Sequence, residues 1–301
     1  MPVIVRLYLV HLVYRLQRYW DRLVPKRPLS RMRDDATRLM LSAYGPVRSD
    51  LSYREQLRQR EFRLHSQNGE DGILLFVFSQ IGTTNKTVVE FGVESGRECN
   101  AANLLINFGW NGLLMDGSEE NMESGREWYR GLGLPNINAI QLKQCFVTTD
   151  NINEAIGEAG ITGEIDLLSV DIDGNDYWLW QAIDVIQPRV VVAEYNSAMG
   201  PDRSLTVDYD PAFSRFARHR SGWYHGASIT AFAKLAAKKG YALVASESKG
   251  CNVFFVRDDL VVGELRTLTP AEAFYPQPKR LRIASQDRQF GVISDMPLTE
   301  I

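Results

Sequence analysis

The sequence predicts an α/β fold: a mostly parallel sheet with helices on both faces and an antiparallel final strand. Three observations predict it. Short β-rich apolar runs around Val88, Leu114, Leu168 and Val191 alternate with longer segments of helical period. Several of these runs end in an acid beside a glycine, as at Glu90–Gly92, Asp116–Gly117 and Asp171–Gly174, and the carboxyl ends of parallel strands are where such sheets open a ligand crevice. At 301 residues, 45% hydrophobic and 24% charged, the chain fits one large α/β domain with additions at its ends.

The formal net charge of −3 argues against a nucleic-acid partner. Cys99, Cys145 and Cys251 stand far apart, so neither a zinc site nor a disulfide framework is signalled, and a reducing cytoplasm fits best. Cys99 lies just inside a helix start, which could lower its pKa, but a buried spacer is the expectation.

Residues 1–63 read as an amphipathic helix followed by a helical cover. Val3, Leu7, Val10 and Tyr14 share a face, with arginines around them. Arg6 and His11 break any spanning run, so the helix either lies on an anionic membrane surface through residues 1–24, at the inner face, or packs on the core or a partner subunit. A helix is predicted through Leu51 to Arg63. His65–Gly72 then sets a dense row of polar side chains before an apolar helix, Ile73–Ile81. Ser66 or Asn68 can cap that helix. The row exceeds what a cap requires, so Gln67 and Asp71 are candidate cofactor contacts.

The first strand, with Val88, Val89 and Phe91, suits burial on both faces, and Gly92 and Gly96 let backbone approach a ligand. The turn reads E-x-G-x-x-x-G where a dinucleotide site needs G-x-G-x-x-G. Glu90 would repel a pyrophosphate and suits a cationic ligand with an ammonium and a sulfonium, such as S-adenosylmethionine. A second strand, Gly112–Met115, ends in Asp116, a candidate ribose ligand because a carboxylate accepts from both hydroxyls. Gly117 and Ser118 allow close approach and cap the helix Glu119–Arg130.

A third strand is predicted over Leu134–Gln141 and a helix over Val147–Glu158, placing residues 144–147 beside an adenine. The fourth strand leads into Asp171, Asp173 and Asp176 around Gly174, and the fifth, Arg189–Glu194, ends in another acid. Crowded carboxylates call for raised pKa values or a hard cation, so Asp171, Asp173 and Glu194 are candidate Mg²⁺ ligands. Helix capping and contact with a cofactor ammonium are the alternative. The long segment 197–222 reads as a lid or recognition loop. His225, at the start of the helix ending at Gly240, is a candidate general base. Tyr241–Ser246 and Asn252–Arg257 form the antiparallel closing pair, and residues 259–301 an arm or homo-oligomer contact.

SQNGEDGIL, VEFGVESG, LLMDGS, SVDIDGNDY, VVAEYN and YHGASITAFAKLAAKKGY, in that order, resemble the FkbM-like group of class I S-adenosylmethionine-dependent methyltransferases, over about Leu64 to Arg257. The resemblance implies a Rossmann-like seven-stranded sheet over residues 64–258, S-adenosylmethionine as donor, and O-methylation of a hydroxyl on a sugar, glycan or related small molecule. By position it gives Glu90, Gly92 and Gly96 the methionine-side turn, Asp116 the ribose and Asp171 a catalytic place near methyl transfer. The N-terminal helix and long insertion depart from the pattern and leave the acceptor open. A nucleotide-sugar or NAD enzyme and a non-catalytic membrane-associated or scaffold protein with a methyltransferase-like fold are the rival readings.

Overall fold

The structure, a computed structural model, describes residues 50–301. The expected N-terminal amphipathic helix, its membrane or subunit contact and most of the cover that follows it lie outside the described residues. Among the described residues no helix is long and apolar enough to cross a membrane.

Seven strands form one sheet: β1 Thr87–Phe91, β2 Asn111–Asp116, β3 Ile140–Gln144, β4 Gly163–Val170, β5 Ile186–Glu194, and, skipping a short β6 (Leu205–Val207), β7 Tyr241–Ser246 and β8 Asn252–Arg257. Their order is β3-β2-β1-β4-β5-β8-β7. The pairs from β3 to β5 are parallel, and β8, the last in sequence, runs antiparallel to both β5 and β7. This is the Rossmann-like α/β fold the sequence predicts.

Side-chain alternation along each strand builds two cores. Val89, Leu168 and Val191 point to one face, under the helices Ile152–Glu158, Asp176–Ala182 and Ile229–Lys239. Val88, Leu167 and Val190 point to the other, under Tyr53–Arg60, Glu70–Ile81, Ala102–Asn107 and Glu119–Gly131. Each fully buried Val, Leu, Ile or Phe contributes roughly 1.5–3 kcal/mol, so continuously apolar strands are what a two-faced sheet demands.

Local signals act mostly as expected. Ser118 accepts from Asn121 N and Ser228 from Ala231 N at their helix starts, and Gly240 closes the last long helix in the left-handed region. The helix Glu70–Ile81 differs, because its N-cap is Gly69. Ser66 Oγ still accepts from Asp71 N, one turn inside. The third strand is displaced to 140–144, because Pro135 and the 3₁₀ turn Ile137–Ala139 occupy the start of the predicted run. The following helix begins only at Ile152, since Asn151 Oδ1 accepts from Thr148 N and holds residues 148–151 as a turn.

The segment 197–222 has structure of its own: a 3₁₀ turn at Ser197–Met199, strand β6 and one helical turn, Arg215–Arg218. Strand β6 pairs antiparallel with β9, Leu298–Glu300, near the C-terminus. A third apolar cluster joins Met199, Val207, Trp223 and Tyr224 of this region to Ala284 and Ile293. Thus the last forty or so residues, expected to be an arm, pack back on the insertion.

Candidate functional site

The chain runs outward from β1 to β3, then crosses back to β4 beside β1, so the sheet reverses direction between β1 and β4. A ligand crevice opens outside the carboxyl ends of the strands at such a point. Here the two turns meet. A Cβ at Gly92 would overlap the Asp171 carbonyl oxygen, and Gly92 adopts φ +72, so only glycine fits. Gly92 N also donates to Met115 O at 2.9 Å, and Cys145 N to Asp116 O at 2.9 Å, drawing the ends of β2 and β3 to the same rim. Glu94 and Asp173, in these two turns, are non-glycine residues in the left-handed region. Each costs roughly 1–2 kcal/mol, a strain that clusters at functional turns.

The candidates on the β1–β2 side hold the rim together. Glu90 is buried, and its two oxygens accept from Asn100 N at 2.9 Å, Ala101 N at 2.7 Å and Ser169 Oγ at 3.0 Å. It therefore faces a helix start and the neighbouring strand. Asp116 Oδ2 accepts from Glu94 N at 2.8 Å, and Oδ1 from Ser118 N at 2.9 Å and Asn121 Nδ2 at 3.2 Å. Its side chain is half-buried at the crevice edge. Gly96 O accepts from the Tyr129 hydroxyl at 2.8 Å. Gly117 lies under the ring of Phe146, which is 57% exposed and forms an open aromatic wall. Cys99 is buried beside Glu90; burial first, and then that carboxylate, push its thiol well up. It is unreactive.

Gln67 is exposed, and Asp71 turns inward from it. Asp71 Oδ2 accepts from Leu64 N, His65 N and Ser66 N at 2.7–2.9 Å, while its Oδ1 is buried without a partner. Burial lifts this carboxyl to about 6.

The acid cluster divides by role. Asp176 organises its own loop: Oδ1 accepts from Ile172 N at 2.8 Å and Oδ2 from Gly174 N at 2.9 Å. Asp173, Glu194 and His225 each offer a ligating atom within 4.8 Å of the others. Asp171 is outside that trio but electrostatically tied to it. Burial, then Glu194 and Asp173, raise its pKa well above the carboxylate range. Burial also lifts Glu194, to about 8, against the pull of Arg215. Glu194 Oε2 and His225 Nδ1 are buried without hydrogen-bond partners, 3.5 Å apart. Burial, with Arg215 and Arg280, drives His225 well below its ordinary pKa, so its ring is neutral.

Two arginines that the sequence reading did not single out complete the site. Arg215, from the one-turn helix of the insertion, pairs with Asp173 and reaches to 4.0 Å from Glu194. Arg280, from the short helix Pro278–Leu281 near the C-terminus, is buried; it donates to Asn196 Oδ1 at 2.6 Å and faces His225 Nε2 at 2.9 Å. Neither lies near a motif. The signal that could have found them is electrostatic, because a buried acid cluster requires a counter-charge.

Whether Mg²⁺ fits follows from these partners. A guanidinium has donors only, so His225 Nε2 must accept, and the neutral ring carries its proton on Nδ1. Neither nitrogen then has a free lone pair for a metal. Asp173 is already paired by Arg215. Asp171, Asp173 and Glu194, the predicted ligand set, are not brought together as a trio, and Asp173, Glu194 and His225, which are, do not fit a divalent ion as they stand.

No family model matches the chain, and no curated protein matches it. Solved structures that resemble it include an O-methyltransferase from Bacillus cereus in complex with SAH, at 15% identity and TM-score 0.39, covering 79% of this chain and 94% of that one. Another is magnesium protoporphyrin IX methyltransferase from Synechocystis PCC 6803 with bound SAM, at 9% identity and TM-score 0.40, covering 73% and 90%. A third, the StiE O-MT, matches at 15% identity and TM-score 0.34; the match covers 56% of this chain and about half, 51%, of that one.

Proposed function

We propose that the chain is an S-adenosylmethionine-dependent methyltransferase of the FkbM-like kind, acting on a hydroxyl of a sugar, glycan or related small molecule. The observation that carries this reading is the crevice at the sheet's reversal point, where Asp116 stands at one side and, at the other, Asp171 and Glu194, whose buried Oε2 has no hydrogen-bond partner. The residues suit the donor. Asp116 would take the ribose hydroxyls, Phe146 over Gly117 would face the adenine, and Asp171 would sit nearest the sulfonium and ammonium. Glu90 serves from beneath, fixing the glycine turn through Asn100 and Ala101.

When bound, S-adenosylmethionine supplies an electrophilic methyl group on a positively charged sulfur. The chain's task is to hold an acceptor oxygen in line with that methyl and to remove the hydroxyl proton, since an alcohol is a weak nucleophile at neutral pH. A carboxylate oxygen of Glu194 or Asp171 would receive the hydroxyl proton, the acceptor oxygen gaining the methyl group as the methyl–sulfur bond breaks and leaves a neutral thioether. The Glu194 carboxyl, lifted by burial to about 8, matches that role at neutral pH, and burial with Glu194 beside it raises Asp171 as well. The insertion and the C-terminal segment, which supply Arg215 and Arg280, roof the acceptor side.

Calorimetric titration with S-adenosylmethionine, NAD and a nucleotide sugar tests the donor. The reading expects saturable binding of the first alone. Transfer of label from the same donor to extracted cell glycans or lipids then tests the acceptor class, and label remaining wholly in the donor would count against turnover.

A further inference from the structure

We propose that Arg280, carried into the crevice by the C-terminal segment, is a positioning residue that locks His225 with a bare Nε2 and a protonated Nδ1. Together with Arg215 it is the resident cation of the acid cluster, in the place a divalent metal would take. This inference rests on the methyltransferase reading for its catalytic meaning, but its structural half stands without it.

The geometry is over-determined on the Arg280 side. Its guanidinium is anchored by Asn196 Oδ1 at 2.6 Å and lies over the Trp223 ring at 5.9 Å. Asn196 is itself fixed, because its Nδ2 donates to Trp223 O at 2.7 Å and His225 O at 2.8 Å. The short helix that carries Arg280 is placed by Tyr195, whose hydroxyl donates to Tyr275 O at 2.7 Å and accepts from Tyr275 N at 3.1 Å. Arg280 therefore cannot drift from His225 unless the C-terminal segment lifts. With Nε2 engaged by a group that can only donate, the imidazole can present only an N–H toward Glu194 Oε2. Having no spare lone pair, it can neither remove a proton from the acceptor nor ligate an ion. That leaves the proton to the carboxyl pair, and makes the C-terminal segment part of the site.

Nitrogen-resolved NMR of the four histidines in the full chain, with His225 assigned by its loss in His225→Gln, reads the tautomer directly. The expected result is a proton on Nδ1, a bare Nε2, and no change on adding Mg²⁺ or EDTA. Arg280→Gln should release the tautomer and lower turnover about 10²-fold at unchanged S-adenosylmethionine affinity. Arg280→Lys, which also offers only donors, should restore much of both. A proton on Nε2 in the unsubstituted chain, a Mg²⁺-dependent shift of the His225 signals, or a Lys variant no better than Gln in tautomer would overturn the proposal. S-adenosylmethionine titration on the same samples separates the two claims. Absent binding with the expected tautomer removes the methyltransferase reading alone; normal binding with the wrong tautomer removes the role of Arg280.

Discussion

Strands β4 and β5 carry an acid near each end of their shared edge, and the two ends treat those acids in opposite ways. Near the amino ends, Asp166 is fully buried and pairs with Arg189 at 2.8 Å. Its oxygens also accept from Thr84, Asn85 and Lys86 N, and Arg189 also donates to the Ile81 and Gly82 carbonyls. Neither residue keeps a buried side-chain polar atom without a partner, and the pair ties the loop before β1 to the sheet. One residue past the last paired positions at the carboxyl ends, Val170 and Ala193, stand Asp171 and Glu194. Glu194 keeps a buried oxygen without a partner, and both carboxyls are pushed upward. The same two strands thus end in a finished ion pair and in an unfinished cluster. A buried charge left incomplete costs stability, so the incomplete end is the one that suits a ligand.

The sharpest way to break the contrast is at the finished end. Asp166→Ala strands the buried Arg189 and three backbone donors, and should lower unfolding free energy by roughly 3–5 kcal/mol. Denaturant melts would show it, while turnover per folded molecule stays near that of the unsubstituted chain.

At the unfinished end the signs reverse. Glu194→Gln should cut methyl transfer by roughly 10²–10⁴-fold with the fold intact. On the proposed function, the unsubstituted chain should gain rate as pH rises through about 8, the value to which burial lifts Glu194, because only the ionised form accepts a proton. Stability runs the other way. With the folded pKa above the unfolded one, this carboxyl's contribution is present at low pH and is lost as pH climbs from the ordinary glutamate range toward about 8. Glu194→Gln should flatten that decline, and melts across this window together with rate profiles would check both slopes.

A smaller effect is expected at the adenine side. Phe146→Ala removes one exposed ring over Gly117 and should weaken S-adenosylmethionine binding by about 0.5–1.5 kcal/mol, without altering the pH profile.

The contrast also explains what was legible in the sequence. The sheet could be read because strands buried on both faces leave largely apolar runs, as in β1, β4 and β5, and glycine turns follow β1, β2 and β4. Strand β3 was misplaced, being half-exposed and preceded by a 3₁₀ turn, so it carries no such run. Site acids were visible because they sit at strand ends in fixed order. Their differing jobs were not: Asp176, Asp71 and Glu90 accept from backbone donors that only the folded loops bring near. Arg215 and Arg280 were invisible for another reason. They reach the crevice from an insertion and from the C-terminal segment, with no spacing that links them to the acids they serve.

The central claim is that the crevice between Asp116 and the Asp171–Glu194 acids holds S-adenosylmethionine, and calorimetric titration of the unsubstituted chain beside Asp116→Ala tests it most directly. The account predicts one-site binding, weakened roughly 10- to 100-fold in the variant by loss of charge-assisted hydrogen bonds to the ribose. Heat with NAD or a nucleotide sugar and none with S-adenosylmethionine, or an Asp116→Ala chain that binds S-adenosylmethionine unchanged, would contradict it.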